Sequence, residues 1–155
     1  MQISRIPPIG AILLIAGMAL LSCTGKRPVN IGVSDSGLAP CPTSPNCVSS
    51  DAVDNSHSIP PLQLDVPPNA AWKTARELVA QLPRTHIVQE TSGYLHAECQ
   101  SALLGFVDDL ELHLRPAENI IAIRSASRLG YADFGVNRRR VEALRQALIK
   151  QDVVR

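Results

Sequence analysis

Aromatic side chains are nearly absent. Of 155 residues only Trp72, Tyr94, Phe106, Tyr131 and Phe134 carry such a ring. So sparse a set excludes the stacking platforms on which proteins seat single-stranded nucleic acid. An excess of one charge is also missing: 15 Lys and Arg stand against 14 Asp and Glu, for a formal net charge of +1. That balance argues against electrostatic binding of nucleic acid as the main task. The sequence has no Gly-rich phosphate loop, no Ser-His-Asp order around a nucleophile turn and no metal-ligand cluster. Neither a metal nor another cofactor is therefore expected, and binding is placed ahead of enzymatic chemistry. The length allows one domain of ordinary size, not two.

What is present begins with an address. Arg5 supplies a short positive region, and Ile9 to Leu21 run without a charge. A membrane span needs about 20 apolar residues, so this run fits the apolar core of a secretory signal better. Leu20-Leu21-Ser22-Cys23 resembles the lipobox of bacterial lipoproteins. The resemblance implies diacylglycerol on the Cys23 thiol, cleavage before Cys23 and acylation of the new amino group. Several acyl chains anchor stably where one does not. The alternative is an uncleaved N-terminal anchor helix with an incidental Cys. Lipoprotein sorting rules, with Thr24 rather than Asp after the modified residue, favour the outer membrane over the inner, with the domain facing the periplasm. Residues 1–22 are thus read as signal peptide, 23–40 as a flexible tether rich in Gly, Ser and Pro, and 41–155 as a single domain.

Cys41-Pro-Thr-Ser-Pro-Asn-Cys47 opens that domain. Outside the cytosol two nearby thiols tend to oxidise, so a disulfide is favoured. Metal binding and free thiols are the alternatives, and zinc normally needs more than two ligands. Five intervening residues do not make a thioredoxin-like redox motif. Cys99 is left over and reads as a buried, inert thiol. Val48–Pro68 carries four prolines and reads as irregular.

Periodicity then predicts a helix over 70–81, capped by Asn69 and stopped by Pro83. Four strands follow, over 85–90, 94–101, 106–115 and 120–127, and a final helix over 136–151. Leu110, Leu112 and Leu114 alternate with Asp109, Glu111, His113 and Arg115, which predicts one buried face and one wet face. The fold class expected is α+β: an antiparallel four-stranded meander with the N- and C-terminal helices packed on one face. Pairing Ser101 with Phe106 and Arg115 with Ile120 sets His96, Glu111 and Arg124 in one row, with Glu98, Asp109 and His113 beside it. Such a row reads either as a solvated face of weak ion pairs or as a ligand or metal face, and the solvated reading is favoured.

Ser125 to Arg140 breaks local rules. Asp133 or Asn137 can cap the last helix, yet Arg138, Arg139 and Arg140 occupy its first turns, where the helix dipole disfavours cations. Arg128, Asp133, Asn137, Arg138 and Arg139 form the candidate site for a small anion such as a carboxylate or phosphate. The structural alternative has these arginines bridging to Asp108, Asp109 or Glu142, with Asp133 paired to one of them.

Three motifs carry a family resemblance: residues 41–50 (Cys-Pro-Thr-Ser-Pro-Asn-Cys-Val-Ser-Ser), residues 105–109 (Gly-Phe-Val-Asp-Asp), and residues 124–128 continuing through Asp133-Phe-Gly-Val-Asn-Arg-Arg-Arg140. Together they resemble an uncharacterised bacterial and plastid family, domain of unknown function 1499, over residues 41 to about 149. The resemblance implies no reaction, substrate or cofactor. Cys99 stands where the family pattern is aromatic, which speaks against a role for its thiol. The expectation is a non-enzymatic envelope lipoprotein that binds a small anionic ligand or a partner protein. The alternatives are a hydrolase-like enzyme using Asp108, Asp109, Asp133 and the arginines, and a purely structural envelope component.

Overall fold

The computed structural model describes residues 25–155. The stretches expected to form a signal peptide and a lipobox, with Cys23, lie outside the described residues. No helix among those described is long and apolar enough to cross a membrane.

The elements run β1 (Val33–Ser34), β2 (Gly37–Leu38), β3 (Cys47–Ser49), β4 (Leu62–Gln63), α1 (Pro68–Gln81), β5 (Thr85–Glu90), β6 (Tyr94–Gln100), β7 (Val107–Arg115), β8 (Ile120–Ser127) and α2 (Val136–Ile149). The meander β5-β6-β7-β8 is there, in the expected register. His96 faces Glu111, Glu98 faces Asp109, Glu111 faces Arg124 and Leu112 faces Ile123. The fold is α+β, but its sheet has six strands rather than four. β3 and β4 both pair antiparallel with the outer edge of β8. They come from stretches read as a loop and as irregular. Prolines hid them, and the pairings are two or three residues long. Ile59, Leu62 and Leu64 nonetheless sit fully inside.

The helices lie against the Leu-bearing face. Ala71, Trp72, Ala75 and Val79 of α1, with Val141, Leu144 and Leu148 of α2, join Leu95, Ala97, Leu110, Leu112, Ile121 and Ile123 in one core. The cap of α1 differs from expectation. The capping position is Pro67, Pro68 opens the helix where a missing N–H costs nothing, and Asn69 lies inside the first turn. At α2 the capping position is Gly135, at φ 77°. Asp133 satisfies the end from outside: Oδ1 accepts from Gly135 N at 2.9 Å and Oδ2 from Asn137 N at 2.8 Å.

The opposite face of the sheet corrects the sequence reading most. It is not wet. His96, Asp109, Glu111 and Arg124 are buried at 2%, 1%, 0% and 6% exposure. Residues 25–40, assigned to a tether, lie over it. Gly32 N donates to Glu111 Oε1 at 2.8 Å, Arg27 reaches Glu98, and Leu38 packs on Tyr94 and Ala122. Gly37 is held so close to Asp51 that a Cβ there would stand 2.5 Å from its carboxylate. That carboxylate also accepts from Leu38 N.

Candidate functional site

Strand alternation puts acids and bases from three neighbouring strands on one face, and the 25–40 segment removes water from them. Charges so placed must pair, and they do. Just past the end of β8, Arg128 turns back across the face. Its Nε donates to Asp109 Oδ2 at 2.9 Å, and Nη2 donates to Asp109 Oδ1 at 2.7 Å and to Glu98 Oε1 at 2.6 Å. His96 Nε2 stands 2.7 Å from Asp109 Oδ1. On the far side Glu111 accepts from Tyr94 OH, Gly32 N and Arg124 Nη1, each at 2.8 Å.

Titration behaviour follows from these contacts. The hydrogen bonds it donates to Asp109 hold the Arg128 guanidinium above its usual range against the effect of burial, with Glu98 helping. Burial pushes Asp109 upward, but Arg128 and then His96 pull harder, and the carboxyl lies below the usual range. Glu98 ends low in the same way, with Arg128 and Arg27 outweighing burial. Burial first, then the Glu111 carboxylate, drives the Tyr94 phenol well up.

Arg124 is the exception to this pairing. Its Nη1 is committed to Glu111, but Nε is buried with no hydrogen-bond partner. Beside it a cleft of about 310 Å³ opens between the covering segment and β8. Pro28, Asn30 and Cys41 line one wall; Arg124, Ser127 and Arg128 line the other. Asp109 also borders it.

The candidate residues named from sequence are not brought together. Arg128 lines the cleft. Half-buried Asp133 and buried Asn137 form a knot at the start of α2: Asn137 Nδ2 donates to Asn46 O, Ser127 Oγ and Asp133 Oδ2, and its Oδ1 accepts from Ser125 Oγ and Arg140 Nη1. Arg138 donates to the carbonyls of Ser56 and Ser58, and Arg139 to the carbonyl of Phe134. Arg140 bridges to Asp108 at 2.6 Å, as the stitching alternative expects, whereas Glu142 is engaged by Arg145. Asp133 is paired to backbone amides and not to an arginine. Burial raises it, but the Asn137 and Gly135 amides more than offset that and leave its carboxyl low. Each acid of the hydrolase alternative is thus occupied: Asp108 by Arg140, Asp109 by Arg128 and His96, Asp133 by amides. Among the described residues no group of three or more His, Cys, Asp or Glu is placed to hold a metal ion.

Sequence reasoning placed Arg124 in the correct row but gave it no special part. The sign that the row is covered lay in Leu38-Ala39, an apolar pair inside the supposed tether and now buried. A second cluster had no sequence signal. His57 holds Asp54 through Nδ1 at 2.8 Å and the Ser44 carbonyl through Nε2 at 3.1 Å, fastening the Cys41–Cys47 loop to residues 54–57. Cys41 and Cys47 form a disulfide, and Cys99 is free and buried. Burial pushes the Cys99 thiol up, which makes it a poor nucleophile.

A family model described as "Protein of unknown function (DUF1499)" matches residues 37–148. No curated protein and no solved structure matches this chain.

Proposed function

The chain belongs to the DUF1499 family, whose function is unknown, and we propose that it is a lipid-anchored envelope protein whose domain binds a small anionic ligand in the cleft beside Arg124. The lipobox supports the anchor. Acylation at Cys23 would hold the domain on the periplasmic side, with the outer membrane favoured by Thr24. One observation carries the binding site: Arg124, only 6% exposed, keeps an unpartnered Nε and lines an open cleft. A buried donor without an acceptor costs about 1–3 kcal/mol, and a ligand oxygen recovers it. Arg128, Ser127 and Asn30 add donors around the same space. Asp109 and Glu111 neutralise much of the positive charge, so the site suits a compact monoanion such as a carboxylate better than a polyphosphate.

Acetate and inorganic phosphate serve as probes in an NMR titration of the domain. Acetate is expected to shift the amides of Asn30, Ser127 and Arg128, and the shift is lost in Arg124→Lys, which keeps a cation toward Glu111 but has no Nε donor. Arg139→Ala leaves it intact. Acetate shifts centred on Arg138 and Arg139, or unchanged in Arg124→Lys, remove the cleft from the account. A processed chain whose mass carries no acyl groups at Cys23 removes the anchor separately.

A further inference from the structure

One end of the sheet carries apolar side chains that the fold does not use. The β6–β7 turn exposes Leu103 (95%), Leu104 and Phe106. The β8–α2 loop exposes Leu129, Tyr131 and Phe134 (90%), and the first residue of α2, Val136, is exposed beside them. The two loops are neighbours. Arg128 N donates to Val107 O at 3.2 Å, which sets Phe106 opposite Leu129, and Ala102 shares a cleft with Val136. Phe134 stands out on a left-handed backbone, φ 52°, a conformation a bulky residue seldom adopts. Seven large apolar residues on or beside adjoining loops are more than scattered surface hydrophobics account for.

The chain enters the domain at this same end. Gly25 packs against the β8–α2 loop so closely that a Cβ there would meet Arg128 Cβ at 3.0 Å and Leu129 Cγ at 3.1 Å. Cys23 precedes Gly25 by two residues in the sequence, and two residues of chain reach at most about 7 Å. Three exposed cations stand beside the patch: Lys26 next to Gly25, Arg84 in the cleft with Ala102 and Val136, and Arg139, which donates to the Phe134 carbonyl. The acids of this end are committed, Asp108 to Arg140 and Asp133 to amides.

From this we infer that the end formed by residues 102–106 and 129–136 is a membrane-resting face, which seats Leu103, Leu104, Phe106 and Phe134 in the interface of a bilayer containing anionic lipid. The inference rests on the anchor reading for the proximity of lipid and uses nothing of the Arg124 cleft. An anchor with so short a leash holds the domain against the headgroups whatever its orientation. The apolar loops then select which end faces down, and the three cations add attraction to anionic lipid.

Phe106→Trp, Phe134→Trp and Ala117→Trp test the face. Ala117 is exposed in the β7–β8 turn at the far end of the sheet, and native Trp72 is a buried background common to all three. Each full mature chain is reconstituted in vesicles of phosphatidylethanolamine and phosphatidylglycerol with brominated acyl chains. Intact mass reports acylation. An unacylated chain is coupled through its Cys23 thiol to a maleimide phospholipid, so the face is read whether or not the cell lipidates it. Bromine is expected to quench Phe106→Trp and Phe134→Trp at least roughly twofold more than Ala117→Trp, as interfacial burial requires. Equal quenching at the three positions overturns the face and leaves the anchor standing. Protection of Phe106→Trp and Phe134→Trp from aqueous iodide without bromine quenching also overturns it, in favour of a protein partner or a second copy. Bromine quenching of a coupled chain that arrived without acyl groups supports the face and removes the natural anchor.

Discussion

Arg128 and Asp109 meet fork to fork, Nε to Oδ2 at 2.9 Å and Nη2 to Oδ1 at 2.7 Å, with side chains 5% and 2% exposed. Two parallel charge-assisted bonds fix the geometry as well as the charge. Removing one partner of such a buried pair strands the other, at about 3–5 kcal/mol. Asp109→Ala and Arg128→Ala are therefore expected to lower unfolding free energy by that amount in urea titrations. Arg76→Ala, which removes a half-exposed ion pair with Glu90, is expected to cost about 1 kcal/mol or less. Similar losses for all three would show that the polar face is wetter than the structure has it.

Acid and base should act on different groups. Asp109, Glu98 and Asp133 have folded values below the usual carboxylate range. Their contribution is fully present above the unfolded values of about 4, and is lost as pH falls through the lowered folded values. His57 lies above its ordinary value, chiefly through its hydrogen bond to Asp54, with the Ser44 carbonyl helping against burial. Its contribution is present below about pH 6.5 and is lost as pH rises through the raised folded value. Melting temperature against pH should thus climb through the acid range and decline above about pH 6.5, as His57 loses its proton. His57→Gln should flatten the decline and also trim the climb slightly, because the Asp54 carboxyl is held low by Ser56 and then by His57. A decline of the same size in His57→Gln would assign it elsewhere.

The strands of the meander and the pairing between them were legible because alternation is local and register follows from keeping Leu against Leu and Ile. Burial of the polar face was not. Alternation of Leu with Asp, Glu and His reads as inside against outside, and nothing within β7 distinguishes an acid facing water from one facing Arg128. The cover comes from residues 25–40, whose Gly, Ser and Pro content matches that of a linker. β3 and β4 were hidden because strands of two or three residues have no period to detect. The helix-start arginines stood out in sequence, whereas the acceptors they meet did not: Arg138 and Arg139 take carbonyls and Arg140 takes Asp108.

Asn137 is fully buried, and all of its side-chain hydrogen-bonding capacity goes to joining four segments. Asn137→Ala leaves the Asn46 carbonyl and Ser125 and Ser127 hydroxyls without this partner, at about 1–3 kcal/mol for each buried group not otherwise satisfied. Asn137→Asp keeps the acceptor for Arg140 but faces Asp133 with a second carboxylate. Both are expected to lower the melting temperature, and Asn137→Asp should recover part of its loss at low pH, where one carboxylate takes a proton and donates. Thermal denaturation at acid and neutral pH checks this. If Asn137→Asp loses as much at acid as at neutral pH, Asp133 is not the group it meets.

The Cys41–Cys47 disulfide closes a ring six residues apart in sequence and ties a wall of the Arg124 cleft to β3. Chain-entropy arithmetic for so small a ring gives roughly 2 kcal/mol. Cys41→Ser combined with Cys47→Ser should cost about that much. The core need not change, since it is assembled on the other face of the sheet. The cleft wall should loosen, because Cys41 then loses its tie to the sheet edge and is held only through Leu38 and Ser44, three residues away on either side. The acetate response at Asn30 should therefore weaken more than at Ser127, which β8 holds independently. Urea titration measures the first effect and the NMR titration the second. Alkylation under mild reduction supplies the control: half-buried Cys41 should react while Cys47 and Cys99, both buried, do not. If Cys99 reacts equally, the domain has opened, and neither effect can be assigned to the disulfide.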